Sequence, residues 1–225
     1  MDSHSKANPK APSDDVVRRK RQLRRLMRAQ RQDLSALDWQ ARSEAVVRRL
    51  LNLDALLTSR AVATYWPMVE RREVDLRPLA RELQARGVTL SYPVMLDGEE
   101  GFRIAREQDL ATPPLSEPLA GSVERVDDAL PPRGKPPQDL EQPALSLPAP
   151  ATLDAILVPA LAASPSGQRL GYGAGFYDRV LRRYPTAHSV AVVFDFALLE
   201  DLPAEEHDAR CGWVVTDCRT LCTTS

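Results

Sequence analysis

The stretch from Asp154 to Arg183, DAILVPALAASPSGQRLGYGAGFYDRVLRR, constrains the fold more than any other part of the chain. It opens on a short apolar run ending at Pro159, the pattern of a buried parallel strand. A loop carrying Gly167, Gly171, Gly173 and Gly175 follows, and FYDRVLRRY then reads as a helix. Glycine lets backbone N–H groups approach a ligand closely, and a helix N-terminus adds unpaired N–H groups and a positive dipole end. Together they make an anion site, most often for phosphate. Arg169 places a planar charged donor inside the loop, and Asp178 a carboxylate one turn into the helix. A carboxylate beside a phosphate repels it unless a cation lies between them, so the combination points to a Mg²⁺-nucleotide. The loop matches neither GxxxxGK[ST] nor GxGxxG, and on its own it suits an ordinary tight turn about as well.

The rest of the chain alternates between helix and strand periodicity. Residues 1–15 are polar and are expected to form a disordered tail. Val16 to Arg31 reads as a helix with Val16, Leu23, Leu26, Met27 and Gln30 near one stripe and arginines around it. Ser35 looks like the N-cap of a second helix running through Leu51. Ala61–Tyr65 and Val88–Pro93 read as strands flanking a helix over Leu76–Arg86. Leu153–Pro159 and Ser189–Phe194 are further strands on either side of the loop helix, and Val214–Thr216 is a candidate last edge strand. Such alternation argues for an α/β sheet with right-handed crossovers. Residues 121–150 break the pattern: rich in proline and without periodicity, they read as an irregular insertion in a single domain over residues 16–225.

Composition narrows the classes. A net charge of −1 with well-mixed signs gives no global field for nucleic acid or a membrane surface. No apolar run approaches the ~20 residues that span a bilayer, and the N-terminus lacks a secretory h-region. Cys211, Cys218 and Cys222 are an odd number and make no disulfide framework, so the cytoplasm is the expected compartment. His207 and Cys211 stand at helical spacing, but without a clean C-x₂-C pair zinc is not expected.

RLGYGAGFYDRVL resembles the signature of the 5-formyltetrahydrofolate cyclo-ligases, and three other segments match in order. Lys20-x-x-Leu23-Arg24, followed by Arg31 and Leu34-Ser35, resembles the family's opening helix. AVATYWPMVERREVDLRPLA resembles its YxP…GEVD segment, with Glu73 on the family's glutamate. DLPAEEHDARCGWVVTD resembles the C-terminal LP…HD…VVT stretch. Two departures stand out: Ala163-Ser164 replaces a common Phe-Asp, and about two extra residues lie between Pro67 and Glu73.

The resemblance implies a three-layer α/β/α fold with a mostly parallel central sheet, of the sugar-phosphate isomerase/CoA-transferase-like kind. It implies ATP- and Mg²⁺-dependent cyclisation of 5-formyltetrahydrofolate to 5,10-methenyltetrahydrofolate, by a monomer acting on small molecules. Arg169 and Asp178 are then the catalytic candidates. ATP would meet Lys20, Arg24, Arg169, Leu170, Gly171, Tyr172, Gly173, Ala174, Gly175, Phe176 and Tyr177. Folate would meet Glu73, Tyr172, Gly173, Ala174, Gly175 and Phe176, and the metal Asp178 and Asp208. The residues alone also admit a sugar-phosphate isomerase or CoA-transferase-type enzyme without ATP. A nucleotide- or RNA-binding module built on the basic first helix is the third reading.

Overall fold

The computed structural model describes residues 14–96, 99–104 and 152–223, so the whole proline-rich insertion at 121–150 and residues 1–13 lie outside the described residues. Helix α1 spans Asp14–Gln32, two residues ahead of its expected start, with Asp14 and Asp15 at its positive end. Ser35 caps α2 (Ala36–Leu51): its hydroxyl oxygen accepts the Asp38 N–H at 3.0 Å. After the short α3 (Asp54–Leu57) come β1 (Ala61–Ala63), α4 (Arg77–Ala85), β2 (Thr89–Leu96) and β3 (Glu99–Ile104). Beyond the insertion run β4 (Ala155–Pro159), the two-residue strands β5 (Ala162–Ala163) and β6 (Arg169–Leu170), then α5 (Phe176–Arg183). The chain closes with β7 (His188–Val192), β8 (Trp213–Val215) and β9 (Thr220–Cys222).

The main sheet has the order β3-β2-β1-β4-β7-β8-β9. Its inner five strands are parallel, with Val62 opposite both Leu90 and Ala155, and Val190 opposite Trp213. β3 and β9 add antiparallel edges, so β8 is not the edge strand expected of Val214–Thr216. The tight turn after Val215 folds the last strand back onto it; a three-residue strand of such mixed character carries too little periodicity to be read from sequence.

Alternation along the strands sorts the core into two layers. Val62, Leu157, Val190 and Val215 pack with α2, α3 and α4, while Ala63, Ile156, Val158, Ala191 and Val214 pack with Met27 of α1 and Val180 of α5. Helices therefore cover both faces, as three layers require. Each of these strand residues is essentially inaccessible, and full burial of a valine or leucine contributes about 1.5–3 kcal/mol. α4 shows the matching helix pattern, burying Leu79, Ala80 and Leu83 behind a proline in its first turn.

α1 departs from its expected apolar stripe. Leu26 is 49% exposed, and the buried residues are Lys20, Met27 and Arg31. Its inner face meets acceptors from the glycine-rich loop and the C-terminal segment, so cations rather than leucines fill it. The strand order reverses between β1 and β4, and a narrow cleft of about 10 Å³ lies there at the carboxyl ends of β1, β4 and β7, where open α/β sheets bind ligands.

Candidate active site

Lys20, Arg24, Arg28 and Arg31 recur at helical spacing, so they form one basic face of α1. That face lies over the glycine-rich loop. The Arg24 Nε–H donates to the Gly171 carbonyl at 2.9 Å, and its guanidinium packs beside Gly173, where a Cβ would stand 3.5 Å from Cζ. Gly173 has φ +105°, a conformation few L-residues adopt. Burial, and then the neighbouring Arg28, pull the Arg24 guanidinium below its ordinary value. Arg28 and Arg31 each sit 5.8 Å from the centre of the Tyr172 ring.

Further along, the Lys20 ammonium is buried between two carboxylates. It donates to Glu205 and, at 2.6 Å, to Asp208. Glu205, His207 and Asp208 bring one ligand atom each within 4.8 Å of one another. Asp178 is not in this cluster.

Arg169 and Asp178, the residues that the resemblance puts on phosphate and Mg²⁺, lie against each other. Arg169 donates to Asp178 Oδ1 at 2.6 Å, with side chains only 4% and 14% exposed. The β5–β6 ribbon, with Ala163 opposite Arg169, turns the guanidinium into the protein, where a buried charge needs a counter-charge. The same Asp178 oxygen accepts the Ala209 N–H at 3.0 Å, tying α5 to the residue after Asp208. Lys20 and Asp208, expected on ATP and metal respectively, pair in the same way. Behind Arg169 the Cys211 thiol is buried and pushed up to about 11, chiefly by that burial.

The loop residues divide between core and surface. Leu170 and Phe176 are 2% exposed, and Phe176 packs with Val180 and Leu181 in the α1/α5 layer, so its ring is core rather than pocket lining. Tyr177 meets it edge-on, centroids 5.1 Å apart. Gly171, Tyr172, Gly173, Ala174 and Gly175 stay at least partly accessible, with Gly175 immediately preceding α5.

Glu73 is 3% exposed at the mouth of the cleft. The extra residues before it are taken up by a 3₁₀ turn, Val69–Arg71, closed by Arg72 at φ 51°. One Glu73 oxygen accepts the Met68 N–H at 2.8 Å, and the other accepts the Tyr172 hydroxyl. Arg31 in turn donates to the Tyr172 oxygen at 2.7 Å. Burial raises the Glu73 carboxyl above the usual range, against the opposing pull of Arg31. Desolvation likewise raises Tyr172, with the Glu73 charge adding to it. Tyr65, Phe194 and Phe196 supply aromatic walls to the same cleft.

Taken alone, Arg28 and Glu205 carry no signal that singles them out in the sequence, Arg31 stands out only within a motif, and His207 only as a zinc candidate paired with Cys211. The lysine and three arginines at positions 20, 24, 28 and 31 share one helical face, and that spacing was available in the sequence. Glu205 was hidden among ordinary loop acids.

A family model described as the 5-formyltetrahydrofolate cyclo-ligase family matches residues 16–217. The 5-formyltetrahydrofolate cyclo-ligase of Saccharomyces cerevisiae is 29% identical, over 87% of this chain and 92% of its own. A stretch of 69 residues is 54% identical to the cyclo-ligase of Mycolicibacterium smegmatis, spanning 30% of this chain but only 36% of that relative. The solved 5,10-methenyltetrahydrofolate synthetase of Aquifex aeolicus superposes with a TM-score of 0.64 at 27% identity, covering 92% of this chain and 93% of that one. The matched region holds Lys20, Glu73, the glycine-rich loop and Asp208 alike, and the chain belongs to the 5-formyltetrahydrofolate cyclo-ligase family.

Proposed function

We propose that this chain closes 5-formyltetrahydrofolate to 5,10-methenyltetrahydrofolate, using ATP and Mg²⁺ and releasing ADP and phosphate. The observation that carries the reading is the Tyr172 hydroxyl, which reaches from the glycine-rich loop to Glu73. One side chain separates the phosphate loop from the buried carboxylate, so a nucleotide on one and a folate on the other would meet. A formyl oxygen on nitrogen is a poor leaving group. Transfer of the γ-phosphoryl group to that oxygen makes it a phosphate ester; N10 then attacks the carbon, loses its proton, and phosphate departs. Such chemistry asks the protein mainly for positioning and charge neutralisation.

Glu73 can accept two hydrogen bonds from the aminopyrimidinone edge of folate. Backbone N–H groups from Leu170 to Tyr177, at the start of α5, would cradle phosphates, with Arg24 alongside them. Tyr172, Gly173, Ala174 and Gly175 would face both substrates, and Phe176 supports them from the core. Arg169 and Asp178 act here as positioning residues that join the loop to the C-terminal segment. Once the Lys20 ammonium that bridges them turns to the nucleotide, Asp208 and Glu205 suit Mg²⁺, a hard cation that takes one or two carboxylates plus substrate phosphates; His207 is a softer third donor. Bound there, the ion would offset phosphate charge. A reducing, cytoplasmic setting fits the absence of a disulfide among the described residues, where no helix is long and apolar enough to cross a membrane.

Mixing the protein with Mg-ATP and 5-formyltetrahydrofolate should generate the methenyl chromophore with matching ADP release. Absence of the chromophore, or turnover indifferent to ATP, overturns the proposal. Asp208→Asn is expected to raise the Mg²⁺ concentration for half-maximal activity by about tenfold, since it removes a hard anionic ligand. An unchanged Mg²⁺ titration takes Asp208 out of the metal site.

Folate binding should also carry a pH signature. Glu73 must be ionised to accept the ring's N–H groups, and its burial raises its folded pKa. The KM for 5-formyltetrahydrofolate should therefore climb on acidification at a pH above that of an ordinary glutamate. The linkage sign for folding is the reverse of a stabilising carboxylate: stability falls as pH rises from the unfolded to the raised folded value. Glu73→Gln should abolish the acid limb and weaken folate use by about 10- to 150-fold, the worth of charge-assisted hydrogen bonds. A wild-type pH profile in that variant would exclude Glu73 as the folate carboxylate.

A further inference from the structure

Arg31 is the buried arginine of α1, 6% exposed, and it lines the cleft beside Glu73. One terminal nitrogen reaches Tyr172, but its Nε–H is enclosed without a hydrogen-bond partner. Arg28 Nε shares that condition, yet Arg28 is not among the residues lining the cleft. A guanidinium keeps its proton and is a donor at all five N–H positions. Leaving one of them buried and unpaired forfeits its hydration with nothing in return, and such groups in a folded protein call for a specific explanation.

We propose that Arg31 is a specificity residue that donates to the 4-oxo group of the aminopyrimidinone ring, an inference that rests on the folate reading above. The ring's edge presents three groups in order: the 2-amino donor, the N3–H donor and the 4-oxo acceptor. A carboxylate matches the first two and can do nothing for the third. The third needs a donor next to the carboxylate, and Arg31 stands one hydroxyl away from Glu73. The Tyr172 oxygen accepts from Arg31 while its proton goes to Glu73, so a single group bridges the acceptor and the donor. Acceptor and donor held side by side are the complement of the ring edge, and the bridging hydroxyl yields to the ring as it enters. Arg31 also opposes the burial penalty on the Glu73 charge, which keeps the carboxylate available as the acceptor.

The test compares 5-formyltetrahydrofolate with its 4-thioxo counterpart, which keeps the 2-amino and N3–H donors and weakens only the acceptor at position 4. Titration calorimetry on the full chain without ATP should show the 4-oxo ligand bound about tenfold more tightly, the worth of one hydrogen bond. Arg31→Met should weaken 4-oxo binding by about 10- to 150-fold and bring the two ligands to within about threefold. Arg31→Lys, which keeps a charged donor, should restore part of the preference. Glu73→Gln should weaken both ligands and leave their ratio largely intact, a split that a merely structural Arg31 would not produce. Equal binding of the two ligands by the wild-type chain overturns the inference even if Arg31→Met fails to fold. A folded Arg31→Met with the wild-type ratio overturns it too. Failure of the wild-type chain to convert 5-formyltetrahydrofolate with Mg-ATP instead overturns the folate reading beneath it.

Discussion

Asp178→Ala is expected to lower stability by about 3–5 kcal/mol, because it leaves the Arg169 guanidinium buried without a counter-charge. For a chain of this size that is a fall in melting temperature of about 6–20 °C. The loss has two parts. Arg169 Nε already has no partner, so the ion pair is the main polar compensation available to that side chain. The Ala209 N–H also loses its acceptor, which loosens the segment that carries Asp208. Replacing both members should be far milder: Arg169→Met with Asp178→Ala removes the charge and its desolvation together. Denaturant melts of the two single variants and the double variant measure the coupling directly. If the double variant loses as much as both singles combined, the pair does not act as a unit and the positioning role falls.

Gly167→Ala is the other large effect. Gly167 has φ +80°, and a Cβ there would lie 2.2 Å from the carbonyl oxygen of Cys211. That obstacle is backbone, held in place by the Cys211 N–H to Gly167 carbonyl bond at 2.9 Å and by Thr223 Oγ1 donating to the Cys211 oxygen at 2.6 Å. The left-handed conformation costs an alanine about 1–2 kcal/mol, and forcing apart a packed contact costs about 1–3 kcal/mol more. Gly87→Ala separates the two costs. Gly87 has nearly the same φ, +79°, but open space at the Cβ position, so only the conformational cost applies. Thermal melts should rank Gly167→Ala well below Gly87→Ala, with cyclisation impaired only in the former. Equal losses would mean that the loop and the C-terminal segment are not locked together at this point.

Much of the architecture was legible along the chain because periodicity is local. The Ser35 cap, the apolar face of α4 and the strand at Ala155–Pro159 each rest on residues within a few positions of one another. Strand β9 was not legible: three residues with one half-buried side chain leave no pattern to read. α1 departs from its periodicity for a different reason. Its heptad-like spacing was visible, but which face turns inward depends on the acceptors that meet it, and these come from positions 171, 172, 205 and 208.

The α/β alternation, the glycine-rich loop ahead of a helix, and the membership of Lys20, Glu73, Arg169, Asp178 and Asp208 in one ordered set of motifs are all written in the order of residues. What it could not determine is which of these charges answer one another, because electrostatic pairing depends on distance in space rather than along the chain. Only the tertiary structure pairs Arg169 with Asp178 and Lys20 with Asp208, and only it places Arg31 beside Glu73. The physical reason lies in the burial of charge. Once the sheet and its two helical layers close, each guanidinium, ammonium or carboxylate carried inside must find an opposite charge or a hydrogen bond within about 3 Å, and the fold decides which one is in reach.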